Sequence, residues 1–377
     1  MKLCGHSAVC SACSLWGLTE EQQKQLKQKS FFALLKEATQ CPWPDAIYHS
    51  PPPQGFLRQR CEMQIRGTKL GFLTHDKAEV FQIEKCEILD SALMAWILEI
   101  QKLLPSIERG SLRARVSPNG LKGLWLDLPN ESVQKLFEQP DQFSGLLEAA
   151  DQVEIGQKRK TLYFDSEEKR LRLKKDPVFK AWTRTWTHHP AQNTPPEKEV
   201  PLYSTVGDFS QPSDDANRLI CKIITDFTSQ SRNIFEFGAG NGNLTIPAMA
   251  KGARIHAVER ESRFRAAFLQ TLQTAEIDSS PITFESKWML DQELEDESGF
   301  DTLLLNPSRE GAGRFLACTL PASVETIIMM SCYPESFAKD SQAIANQGFE
   351  CTSLQLVDQF PYSKHLEVLA QFRKRKF

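Results

Sequence analysis

The chain has 377 residues, 41% of them hydrophobic and 25% charged, with a formal net charge of −3. That length supplies two hydrophobic cores, and the charge balance excludes gripping a polyanion by overall charge, so any nucleic-acid surface has to be a local patch. The most apolar run, Ala92 to Leu98, is closed by Glu99 and too short to span a bilayer, and Met1 to His6 opens no apolar leader, so a soluble cytoplasmic protein is expected.

Ten scattered cysteines in a chain of this size point to reduced thiols with metal-binding or catalytic roles rather than a disulfide framework. Three open the chain as Cys4-x5-Cys10-x2-Cys13, and thiols so closely spaced bind zinc or an iron–sulfur cluster, each of which needs a fourth ligand. Thr19 to Leu35 reads as a polar helix capped by Thr19, with Glu20 and Glu21 in the first turn. Pro42, Pro44 and Pro51 to Pro53 then exclude helix. Gly55 to Ile65 alternates as a strand and Leu93 to Leu104 reads as an amphipathic helix. Leu112 to Val116 and Gly123 to Leu128 follow as strands around a Pro118-Asn119-Gly120 turn. From Lys158 to Arg184 ten Lys/Arg stand against four Asp/Glu, with Trp182 and Trp186 close by. A basic strand from Arg170 to Lys174 beside aromatics suits an RNA backbone and splayed bases, although a solvated charge run has the same composition. The proline-rich stretch from His188 to Lys198 reads as a linker, which divides the chain into regions 1–198 and 199–377.

Beyond the linker, Asp214 to Thr225 reads as a helix leading into a strand, Asn233 to Phe237, and the glycine turn Gly238-Ala239-Gly240-Asn241-Gly242-Asn243. A second strand, Arg254 to Val258, ends at Glu259. Glycines let a backbone approach a nucleoside cofactor closely, and an acidic residue ending the next strand can accept its ribose hydroxyls. A dinucleotide would use the same logic, but the usual third-glycine spacing is absent. Strands continue at Pro281 to Phe284, Phe300 to Leu305, Glu325 to Met329, Leu354 to Val357 and Glu367 to Phe372, the last two read as antiparallel. Cys332 follows one of these strands and precedes a helix from Ser336. This places a thiol beside the crevice where open α/β sheets bind ligands, with a helix N-terminus to favour its thiolate; a plain core cysteine is the alternative.

Three segments carry a family resemblance: Asn306-Pro307-Ser308-Arg309-Glu310-Gly311, Ser331-Cys332-Tyr333-Pro334, and Phe360-Pro361-Tyr362-Ser363-Lys364-His365-Leu366-Glu367. In order, they resemble the Asn/Asp-Pro-x-Arg-x-Gly, Ser-Cys-Asn-Pro and Phe-Pro-x-Thr-x-His-x-Glu signatures of the RNA uridine-5-methyltransferases that use S-adenosylmethionine. The resemblance implies an α/β class I methyltransferase domain, Rossmann-like and doubly wound, behind an N-terminal α+β half that binds RNA and a metal cluster. It implies Cys332 as the nucleophile at uracil C6, Glu367 as the base, and His365 as a structural support. Phe209-Ser210-Gln211-Pro212-Ser213 resembles the family's Phe-x-Gln-x-Asn segment, so the implied cofactor contacts are Gln211, Gly238, Asn243, Glu259 and Asn306. The strand from Gly55 looks like one that faces substrate in the family. A [4Fe-4S] cluster is implied on Cys4, Cys10 and Cys13, completed by Cys86, with Cys41 as the other choice.

Three positions depart from the pattern: Ser213 replaces Asn, Gly238 replaces an aromatic residue, and Trp288 stands where an acidic residue is usual. Cluster cysteines without an additional N-terminal barrel put the resemblance nearest the branch acting on 23S ribosomal RNA. A transfer-RNA target stays open, as does a non-catalytic iron–sulfur RNA-binding protein, and a monomer without a membrane partner is expected.

Overall fold

The computed structural model describes residues 4–52, 55–132, 140–157, 160–165, 167–173, 177–187, 198–249, 252–287, 294 and 299–375. The first helix, α1 (Glu20–Ala38), begins at a capping box: the Thr19 hydroxyl accepts from the Gln22 N–H, and the Gln22 side chain accepts from the Thr19 N–H. Its apolar strip, Phe31 and Leu35, is buried in the core of the C-terminal region. The strand β1 (Ala46–His49) also belongs there, so chain on the N-terminal side of residue 198 completes the sheet of the region that follows it.

A first sheet contains β2 (Arg60–Gly67), β3 (Lys69–Leu73), β4 (Val80–Phe81), β5 (Ile107–Val116), β6 (Lys122–Asp127), β7 (Gln152–Gln157), β8 (Lys160–Asp165) and β9 (Arg170–Leu173). Their order is β4-β3-β2-β5-β6-β7-β8-β9, antiparallel throughout except at β6 and β7. The helix α2 (Ser91–Leu103) covers it, because Leu93, Trp96, Ile97 and Ile100 fall on one helical face and pack with Met63, Ile65, Leu112 and Ile155.

Within the basic run, Arg170 pairs with Glu168, Arg172 with Asp165 and Glu168, and Lys169 with Glu148, while Lys158, Arg159, Lys174 and Lys175 lie outside the described residues. Trp182 and Trp186, at 1% and 3% exposure, are core residues, and neither offers a face for a base to stack on. They sit on β10 (Lys180–Thr187), which pairs antiparallel with β11 (Lys198–Ser204).

The second sheet adds β12 (Asn233–Phe237), β13 (Arg254–Glu259), β14 (Ile282–Ser286), β15 (Thr302–Leu305), β16 (Thr326–Ser331), β17 (Phe349–Val357) and β18 (Glu367–Lys374). The order is β1-β17-β18-β16-β15-β12-β13-β14. The run from β16 to β14 is parallel where β18 is not involved, and β18 is antiparallel to both β16 and β17. Both faces are covered, which is why the central strands are apolar at successive positions. Leu303 and Leu305 face a core shared with α1 and α5 (Pro334–Asn346), while Leu304 faces the one shared with α3 (Asp214–Phe227); a further helix, α4 (Ser262–Thr274), packs Phe268 and Leu272 against Val200 and Leu202 of β11. The strand order reverses between β12 and β15, and the crevice at the carboxyl ends of those strands is where such a sheet takes ligands. Among the described residues no helix is long and apolar enough to cross a membrane.

Candidate active site

Cys332 follows the last residue of β16, and Glu367 is the first residue of β18. Because Ser331 pairs with Val368, the antiparallel register carries Cys332 and Glu367 to adjacent places at the sheet end, although thirty-five residues separate them in the chain. Glu367 is buried, and burial pushes its carboxyl up to about 8 against the pull of one hydrogen bond, donated by Gln359 Nε2 to Oε2 at 2.5 Å. The Cys332 thiol is also pushed up, first by burial and then by the charge of Glu367. Arg309 acts in the opposite direction, by its charge and by a hydrogen bond to the sulfur. The three motif loops therefore meet in one place: a thiol, a buried carboxyl and a guanidinium that favours the thiolate.

Arg309 is carried by the loop after β15. Asn306 N–H bonds to the Phe237 carbonyl at 2.9 Å, and Ala312 N–H donates to Asp340 Oδ2 of α5 at 2.8 Å, which fastens the loop at both ends. Beside it lies a cavity of about 590 Å³ lined by Gly238, Glu259, Arg260, Asn306, Ser308 and Arg314, among others. Glu259 faces it with its carboxylate already oriented, accepting from Gly240 N–H at 3.0 Å and Glu261 N–H at 3.1 Å. Gly238 has φ +79°, and a Cβ there would overlap the Asn306 carbonyl oxygen. No larger residue fits that position without moving the loop, which accounts for the missing aromatic. Asn243 is placed differently from the sequence reading: its side-chain amide exchanges two 2.8 Å hydrogen bonds with Asn217, so it braces the glycine turn against α3 instead of lining the cavity. Trp288 lies outside the described residues.

Gln211 is held from the first sheet. Arg60 donates to the Ser210 carbonyl at 2.7 Å, Arg113 to that of Gly207 at 2.6 Å, and Arg115 to that of Asp208 at 2.5 Å. This puts strands β2 and β5 to work as a mount for the segment that ends in Gln211, whose Oε1 is buried with no protein partner. Ser213 has its own task as the N-cap of α3. Phe209 opens the Phe-x-Gln segment, but no role was expected of it. Its ring is 65% exposed in a segment otherwise largely buried, and the Arg60 guanidinium lies 5.1 Å from its centroid. Its place two residues before Gln211 was the available signal.

The N-terminal cysteines run along the edge of the first sheet, with Ser11 N–H on the Leu73 carbonyl and His75 N–H on that of Val9. Cys13 is pushed up to about 12, by burial first and then by the nearby thiols of Cys86, Cys10 and Cys4. The four thus approach one another, with Cys41 taking no part in that influence. Even so, among the described residues no three His, Cys, Asp or Glu side chains stand in a metal-holding arrangement.

Alkylation offers a direct check on the thiol, since only the thiolate reacts. Iodoacetamide labelling of Cys332, followed by peptide mass spectrometry, is expected to accelerate steadily as pH rises through neutrality. Arg309→Met is expected to slow it by about tenfold at neutral pH, an effect of about one pH unit on the thiol. Equal labelling rates in the two proteins would show that Arg309 does not stabilise the thiolate.

A family model described as tRNA (Uracil-5-)-methyltransferase matches residues 197–375. An uncharacterized RNA methyltransferase of Bdellovibrio bacteriovorus is 32% identical, over 99% of this chain and 95% of its own length. The 23S rRNA (uracil(1939)-C(5))-methyltransferases RlmD of Vibrio vulnificus and Shewanella woodyi are 22% and 24% identical over 98% of this chain, and 82% and 81% of their own lengths. The fold is shared with the tRNA (uracil-54, C5)-methyltransferase of Pyrococcus abyssi, solved in complex with S-adenosyl-L-homocysteine, at a TM-score of 0.67 and 16% identity over 98% of this chain and 88% of that one. Three motif loops converging on one crevice, and a likeness that runs the length of the chain, make this protein a member of the S-adenosylmethionine-dependent RNA (uracil-5-)-methyltransferases.

Proposed function

We propose that this enzyme forms 5-methyluridine in 23S ribosomal RNA, with Cys332 as nucleophile and Glu367 as base. The observation that carries the mechanism is the register that sets Cys332 beside Glu367, with Arg309 on the sulfur. Uracil C5 is too weak a nucleophile to be methylated unaided. Addition of the Cys332 thiolate to C6 turns the ring into an enolate, and its C5 then takes the methyl group. Glu367 next removes the C5 proton, and the electron pair of that C–H bond re-forms the C5–C6 double bond as the thiolate leaves. A carboxyl with its pKa near 8 suits proton removal better than an ordinary one, because a stronger base is matched to a weak carbon acid. The target uridine has to leave its stack to expose C6.

S-adenosylmethionine, when bound, supplies the electrophilic methyl group. The residues fit it: the glycine turn leaves backbone room, Glu259 presents an oriented carboxylate for ribose hydroxyls, and the unpartnered Gln211 Oε1 is an acceptor without a protein donor. Asn306 and Gly238 line the cavity with Glu259, a lining that does not include Gln211. Loss of charge-assisted bonds of this kind costs roughly 1.5–3 kcal/mol, so Glu259→Ala is expected to weaken S-adenosylmethionine binding about ten- to hundredfold in a calorimetric titration. Unchanged affinity in the folded variant would remove Glu259 from the site.

For the cysteines at the N-terminus we propose a [4Fe-4S] cluster on Cys4, Cys10, Cys13 and Cys86. The all-thiol donor set and the approach of the other three thiols to Cys13 support it. Protein purified without oxygen is expected to carry about four irons per chain, and Cys86→Ser to lose them. Stoichiometric zinc, or full iron retention in Cys86→Ser, would sink the assignment.

The ribosomal target is supported by the relatives named for 23S rRNA, while the family model's name favours transfer RNA as a second reading. Mass mapping of 5-methyluridine in total RNA from a strain lacking the enzyme separates the two. For the chemistry, Cys332→Ala is expected to bind RNA yet give neither product nor adduct. Glu367→Gln should leave methylated RNA attached through Cys332 and visible on denaturing gels. Normal turnover by Glu367→Gln, or an adduct formed by Cys332→Ala, would move the chemistry to other residues.

A further inference from the structure

The loop that delivers the base, residues 358–366, is fastened from the far end of the chain. Lys27 of α1, its side chain 1% exposed, places Nζ 2.5 Å from Asp358 Oδ1 and 3.1 Å from the Phe360 carbonyl oxygen. Tyr48 of β1 donates its hydroxyl to the other Asp358 oxygen at 2.8 Å. Gln23, one turn before Lys27, accepts from the Tyr362 N–H at 2.8 Å, and the Leu15 N–H donates to the Tyr362 carbonyl at the same distance. Tyr362 itself has φ +62°, a left-handed conformation that a tyrosine keeps only when its surroundings hold it there. The residue after the anchored Asp358 is Gln359, fully buried, and its side chain is the donor to Glu367.

A buried Lys–Asp pair is a poor way to gain stability, since removing both charges from water costs several kcal/mol and apolar side chains could fill the same space. What it supplies is direction. Three donors and acceptors on α1 and β1 fix the backbone on either side of Gln359, and Gln359 in turn fixes which way the Glu367 carboxylate points. We propose that Lys27 and Gln359 are positioning residues for the catalytic base, acting from α1 through Asp358 to Glu367. This rests on the assignment of Glu367 as base. Lys27 touches no reacting atom, and Gln359 touches only the carboxylate of the base.

The test uses the full-length enzyme, RNA substrate and single-turnover release of free methylated RNA followed against pH, with covalent adduct read on denaturing gels. Gln359→Leu removes the one bond that favours the ionised carboxylate, so the acidic limb of the rate is expected to move up by about one pH unit, an approximately tenfold loss near neutrality that alkaline pH restores. Methylated adduct should accumulate in it, because the base acts after methyl transfer. Lys27→Met is expected to lower kcat at least about tenfold and to accumulate the same adduct. Its KM for RNA and its affinity for S-adenosylmethionine should stay unchanged. Since Lys27→Met alone strands a buried carboxylate, Lys27→Met/Asp358→Asn is made beside it, and is expected to recover melting temperature without recovering turnover. Full turnover in that double variant, or an unmoved acidic limb in Gln359→Leu, overturns the proposal. Normal turnover by Glu367→Gln would instead overturn the identity of the base.

Discussion

The reversal of one strand, β18, between β17 and β16 is the constraint on which the proposed chemistry depends. In a wholly parallel sheet the residue that starts a strand lies at the opposite end from one that finishes its neighbour. Turning β18 around brings its first residue, Glu367, to the end of the sheet where β16 delivers Cys332. The same pairing buries the carboxyl, and burial raises its pKa to about 8. A charged Glu367 in turn raises the thiol, so the two groups resist ionising together. Arg309 breaks the symmetry by favouring the thiolate. With the carboxyl at about 8 and the thiol above its ordinary value, the carboxyl is the first of the pair to ionise, and the thiolate that the proposed mechanism needs depends on the opposing pull of Arg309.

Around this centre the chain is interlocked, with each region supplying parts to the other. The first sheet contributes three arginines that bond to backbone carbonyls of residues 207–210, and through them it sets the place of Gln211. The segment before residue 50 contributes α1 and β1 to the second sheet, and with them the clamp on the loop that leads to Glu367. The cysteine segment touches both: Ser11 bonds to Leu73 of the first sheet, and the Trp16 ring lies 4.4 Å from that of Tyr362 in the loop before Glu367. The three arginine links run from a side chain to a main-chain group. Such bonds hold a loop's path without restricting its sequence, and net about 0.5–1.5 kcal/mol each.

Aromatic and charged residues near a basic run proved to be a weak guide. Trp182 and Trp186 lie four residues apart on β10, where Thr185 and Thr187 are buried as well, and a strand covered on both faces takes large apolar side chains whatever the protein does. The arginines of β9 pair with acidic residues that a turn brings back to them, something composition counted but could not locate. Phe209, by contrast, is exposed beside the site, and its meaning came from a neighbour in space, Arg60, which stands far off in the chain.

What the sequence by itself determined was everything set by local periodicity and short-range chemistry. The cap at Thr19, the strand Asn233–Phe237, the glycine turn after it, the acidic end of β13 and the identity of three ordered motif loops all depend on residues within about a dozen positions of one another. Tertiary structure decided which distant groups meet. The membership of α1 and β1 in the second sheet, the engagement of Asn243 with Asn217, the collision that keeps position 238 a glycine, and the Lys27–Asp358 pair across 331 residues each join parts of the chain whose spacing carries no signal. Their physical origin is burial: a charge or amide taken out of water has to find its partner in the folded interior, and only the folded interior says where that partner is.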